Sequence, residues 1–100
     1  MPQSNPGFDI RATRQGVELR VEVKAHTGSA SIVDVTKREI EECSRQEARE
    51  GIRWELWNVE NLSAAVPSPI RITRYDHIPD DALSERILAL DLRKCTPVHP

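Results

Sequence analysis

The sequence predicts an α+β fold: a mixed, mostly antiparallel sheet in the order β-β-β-α-β, then an extra strand and a C-terminal helix. Three observations carry this. Val17, Leu19, Val21 and Val23 alternate with Glu18, Arg20, Glu22 and Lys24, the period-2 pattern of a strand with one buried face. Thr36 stands three residues before Glu39, the capping-box spacing that opens a helix. Trp54, Leu56, Trp57 and Val59 then give apolar groups to both faces of a further strand.

Taken in order, residues 1–6 are polar with two prolines and read as a disordered start. Phe8, Ile10 and Ala12 alternate with Asp9, Arg11 and Thr13, which predicts a first strand over about 8–13 and a second over 17–26. Gly16 supplies the positive φ of a tight turn between them. A two-residue turn at Gln15-Gly16 pairs Arg14 with Val17, Ile10 with Val21, Asp9 with Glu22 and Phe8 with Val23. Residues 31–35 read as a third short strand and Lys37–Glu50 as a helix stopped by Gly51. Its apolar stripe is thin, Ile40, Cys43 and Ala48, so it should touch the sheet along a narrow line. Residues 53–60 form the enclosed strand, with Trp54 and Trp57 on opposite faces and at least one of them in the core. Residues 61–69 are a loop, and 69–75 alternate as an edge strand. Leu83, Ile87, Leu88 and Leu90 predict a closing helix over Ala82–Leu92, before a tail at 97–100.

One hundred residues with 38% hydrophobic and 30% charged content bound the chain to one small globular domain. No apolar run approaches the ~18 residues of a membrane span, and no signal-peptide core follows Met1. Two cysteines, Cys43 and Cys95, make no disulfide framework and read as reduced thiols in a cytoplasmic protein. Neither they nor His26, His77 and His99 have zinc-ligand spacing. A net charge of −2 disfavours a domain that grips nucleic acid alone, and also a small RNA binder. The basic residues worth testing for phosphate contact are Arg71, Arg74, Arg86, Arg93 and Lys94.

The hairpin register carries the chemistry. Directly opposed side chains have Cβ atoms roughly 4.5–5.5 Å apart, so Asp9 and Glu22 can grip one cation, with Lys24 and His26 projecting from the same face. Carboxylates repel when they share a site, and a fold brings them together where a cation joins them. That arrangement points to metal-assisted phosphodiester chemistry. The same face also reads as a solvated sheet surface with cross-strand salt bridges, and Glu39 as a helix cap.

These residues resemble the PD-(D/E)XK nuclease superfamily through Asp9…Glu22-Val23-Lys24 and the element order, a restriction-endonuclease-like core. Gly7-Phe8-Asp9-Ile10, the Glu-Val-Lys strand, Thr36-x-x-Glu39 and the Trp54-to-Asn58 strand more specifically resemble the NO VEIN C-terminal domain. That domain is otherwise of unknown function and is often appended to helicase-like or restriction-type proteins. The similarity covers roughly residues 7–76. The resemblance implies a metal-dependent endonuclease acting on DNA, in a restriction or defence setting. Asp9 and Glu22 would ligate Mg²⁺ or Mn²⁺, the Val23 carbonyl would add a ligand, and Lys24 would orient the attacking water or stabilise developing charge. The superfamily core begins with a helix ahead of the first strand, and only eight residues precede Asp9. The expectation is therefore a piece of a larger protein, or a place filled by the 82–92 helix or by a second subunit of a homodimer. The alternative is a non-catalytic accessory or interaction module that retains the fold inside such a parent protein.

Overall fold

The computed structural model describes residues 10–47, 51–62, 69–84 and 86–98. Asp9, the Phe8–Val23 pair, Ala48, His99 and the centre of the 61–69 loop therefore lie outside the described residues, as does the start at 1–6.

Strands β1 (Ile10–Arg14) and β2 (Val17–Ala25) form the expected hairpin, with Ile10 opposite Val21 and Arg14 opposite Val17. The turn holds Gln15 at φ 53° and Gly16 at φ 80°. Two successive positive φ values match the right-handed twist of the flanking strands. β3 (Ile32–Asp34) leads into helix α1 (Lys37–Glu47), and β4 (Ile52–Glu60) follows after Gly51, at φ 79°. The Gly51 carbonyl accepts the Glu18 N–H at 2.9 Å, where β2 and β4 come together. β2 and β4 run parallel, which requires a crossover, and the segment holding β3 and α1 provides it. β5 (Arg71–Tyr75) pairs antiparallel with β4, giving a four-stranded sheet in the order β1-β2-β4-β5.

Two expectations are corrected here. β3 leaves this sheet. It pairs with β7 (Ala89–Asp91), which also pairs with β6 (Leu83–Ser84), as a three-stranded sheet in the order β3-β7-β6. The expected C-terminal helix over Ala82–Leu92 is thus a small hairpin, flanked by short 3₁₀ turns at Asp80–Ala82 and Leu92–Lys94. The physical reason is visible in the letters. Leu88, Leu90 and Leu92 alternate with Ala89 and Asp91 at a period of 2, and Leu88 sits at φ 51°, which a right-handed helix excludes. Tertiary pairing overrides helix propensity, with Leu83 opposite Leu90 and Val33 opposite Leu90 on the other side.

The second sheet and α1 pack on one face of the first. Leu56 and Leu90 are fully buried at the centre of that core, joined by Val33, Val35, Trp54, Tyr75 and Leu92, with Cys43 from α1 and Cys95 from the last turn. Trp57 is half-buried on the opposite face, as expected, and donates its indole N–H to Glu55 at 2.8 Å.

Candidate functional site

The charged face of β2 does not open to solvent. The parallel register sets Arg20 beside Trp54, Glu22 beside Leu56 and Lys24 beside Asn58, so the acids and bases of β2 share the face that carries the core. Helix α1 lies over them. Its buried side is not the thin apolar stripe alone, because Glu39 and Glu42 are 4% and 3% exposed beside buried Cys43 and half-buried Ile40. Glu39 and Cys43 are one turn apart, which places a carboxylate on the face that the apolar residue points inward. This spacing was the available signal for the burial of Glu39, though not for its partners.

Two ion clusters result. In the first, Lys24 Nζ lies 2.9 Å from Glu39 Oε1 and 3.5 Å from Glu22 Oε1. Glu39 also closes the expected capping box: the Thr36 N–H donates to its Oε1 at 2.9 Å, and its own N–H donates to Thr36 Oγ1 at 3.1 Å. Burial pushes the Glu39 carboxyl up, and hydrogen bonds from Glu22, Lys24 and the Thr36 N–H outweigh it, holding it below its ordinary value. In the second cluster, Arg20 Nη1 donates to Glu42 Oε1 at 2.6 Å, and its Nε donates to Glu18. Hydrogen bonds to Glu42 and then Glu18 raise the Arg20 pKa. Arg45 adds a contact to Glu42 and Arg11 one to Glu18, each at 3.7 Å.

Of the predicted site residues, the structure brings Glu22 and Lys24 together and adds Glu39, which the sequence favoured as a helix cap over a catalytic group. Val23 faces the other side of the sheet, beside Trp57. Asp9 lies outside the described residues; the Ile10–Val21 pair is the rung adjacent to its predicted pairing with Glu22. His26 is held by Asn58, Nε2 to Oδ1 at 2.8 Å. Among the basic candidates, Arg71 and Arg93 converge on one cleft, whereas Arg74 sits 3.7 Å from Glu55, on the face away from the helix.

Magnesium and manganese need hard oxygen donors. Glu22 and Glu39 supply them, with Oε1 of each on Lys24 Nζ. With both ionised, the two acids and Lys24 sum to −1. In that respect the donors fit such an ion. Among the described residues, no group of three or more His, Cys, Asp or Glu is placed to hold a metal, so a complete set would need the predicted Asp9. No helix among the described residues is long and apolar enough to cross a membrane.

Together these features define an α+β domain whose helix buries an acid-rich cluster on a Glu-x-Lys strand. The chain belongs to the family described as Protein NO VEIN, C-terminal, whose model matches residues 1–72. No curated protein and no solved structure matches it.

Proposed function

We propose that the domain is a PD-(D/E)XK-like, metal-dependent endonuclease that hydrolyses DNA phosphodiesters, with the first sheet and α1 as its restriction-endonuclease-like core. The observation that supports this most is the convergence of Glu22, Lys24 and Glu39 beneath α1, next to the strand rung where Asp9 is expected. Glu22, Glu39 and Asp9 would hold Mg²⁺ or Mn²⁺, with the Val23 carbonyl as a further oxygen. Such an ion supplies Lewis-acid stabilisation of the phosphoryl oxygens and lowers the pKa of a bound water. Lys24, released from Glu39 when that carboxylate turns to a cation, would donate to the phosphate as negative charge develops on it.

The test pairs binding with cleavage. Calorimetric titration of the full chain with Mn²⁺ should give heat that Glu22→Gln and Asp9→Ala remove, and supercoiled plasmid should be nicked by wild type but not by Lys24→Ala. Equal plasmid signals for wild type, Asp9→Ala and Lys24→Ala would sink the reading.

A second reading, the accessory module, is favoured by the depth of the cluster. Side chains of Glu22 and Glu39 are only 7% and 5% exposed, and each carboxylate already has a partner in the fold. On that reading the cluster is a structural ion pair, and the domain docks or positions a substrate for other parts of a larger protein. Removing Lys24 would then change stability and leave no catalytic signal to lose.

A further inference from the structure

Beyond Lys24 along β4, the helix-side face continues into a cleft of about 350 Å³, walled by the 29–31 loop, β4, β5 and the Leu92–Arg93 turn. Its size falls within the usual range for a small-molecule site. The walls are built. Asn58, 3% exposed, donates from Nδ2 to the Ala30 carbonyl at 3.0 Å, and Glu60 Oε2 accepts the Ala30 N–H at 2.9 Å. These two bonds fix the loop that carries Ser29 and Ser31. Glu60, 8% exposed, sits at the floor. Tyr75 lines the same space, and burial followed by the charges of Cys95 and Glu60 pushes its hydroxyl pKa up, so it stays a donor. Arg93 stands at the rim, its Nε and Nη2 held by Asp91 at 2.9 and 3.0 Å. Its Nη1 donors are not used in that pair. Arg71 lies opposite Glu60 in the β4–β5 ladder, exposed, with no ion pair among the described residues.

An acidic floor and a basic rim are a mismatch for inorganic phosphate, which the floor would repel. They suit a ligand with hydrogen-bond donors at one end and an anion at the other. We infer that this cleft is a nucleotide subsite: it takes one nucleotide of the nucleic-acid strand next to the reacting phosphate. Arg71 and Arg93 receive its phosphate, and Glu60 accepts from its sugar hydroxyl or base amine. Register supports the adjacency. Asn58 is the direct neighbour of Lys24 across the parallel ladder, roughly 4.8 Å away, and Glu60 follows two residues later on the same face. The inference rests on the nuclease reading for the direction of the strand, though the cleft and its chemistry do not require a metal.

The experiment therefore runs without divalent cations. The 100-residue chain is titrated with deoxyadenosine monophosphate, inorganic phosphate and a tetradeoxyadenylate, followed by calorimetry and by amide shifts of Ala30 and Thr73. The monophosphate should bind, Arg71→Ala should weaken it about tenfold, and Glu60→Gln, which keeps an acceptor for Ala30, should weaken it less. Arg74→Ala, on the other face, should leave it unchanged. Tighter binding of the tetranucleotide supports a strand as occupant, and equal affinity overturns that in favour of a free nucleotide. Inorganic phosphate binding as well as the nucleotide, or no effect of Arg71→Ala, overturns the subsite. Failure of the two ideas is separable: nucleotide binding without plasmid nicking defeats only the nuclease reading, and nicking with an unchanged KM in Arg71→Ala defeats only the cleft.

Discussion

The two ion clusters beneath α1 share one plan and end with opposite charge. Each joins a glutamate and a base two residues apart on β2 to a glutamate on the helix, Glu18–Arg20–Glu42 in one and Glu22–Lys24–Glu39 in the other. Around the first, Arg11 and Arg45 close in, so that among the ion pairs of the described residues three guanidinium groups face two carboxylates. The second shows, among the ion pairs of the described residues, one ammonium for two carboxylates and uses a helix cap as well. The first cluster is therefore over-supplied with cations and reads as a fastener between helix and sheet. The second carries more carboxylates than bases among the described ion pairs, which is the feature the proposed metal site draws on. The same arrangement on strand and helix thus carries a different formal charge count in its two copies.

Several substitutions break or sharpen this contrast. The largest effect expected is on catalysis: Lys24→Met should lower the plasmid-nicking rate on the order of 10²–10³-fold, the size of losing one donor to developing charge, whereas Arg20→Met should not. On stability the order reverses. Arg20→Met strips the best partner from Glu42, whose side chain is 4% exposed, and should cost about 3 kcal/mol in urea unfolding. Thr36→Ala removes only the cap hydroxyl and should cost about 1 kcal/mol.

Acid should tell the clusters apart as well. The folded Glu39 carboxyl lies below its ordinary value of 4.5, so its contribution is fully present above that pH and is lost as pH falls through the lower folded value. Unfolding midpoints measured from pH 6 down to about 3 should decline less in Glu39→Gln than in wild type. The smallest change belongs to Glu18→Gln. Its side chain is 29% exposed, and in 0.5 M salt the loss should be within about 0.5 kcal/mol.

Much of the chain was legible because its signals are local. Strict alternation in 17–24 and a Gln-Gly turn set the hairpin register, and the Thr36–Glu39 spacing placed the helix start, both as observed. What stayed hidden depends on distant partners. Nothing in Ile32–Asp34 says that its pairing edge is Ala89–Asp91 and not β2. The Leu83–Leu92 stretch satisfies a helical stripe and a period-2 pattern at once, and only the positive φ of Leu88 and the facing β3 decide between them. For the site, Glu22 and Lys24 could be paired by counting. The approach of Glu39 and Glu42 could not, because it depends on how the helix lies across the sheet.

The C-terminal hairpin reaches further than its size suggests. The family match stops at residue 72, inside β5, yet Tyr75, Ala82, Leu90, Leu92 and Cys95 make up five of the ten residues of the central core. A polypeptide trimmed to the matched region would leave Leu56 and Trp54 wet on one side, so the unit to express and crystallise runs at least through Cys95.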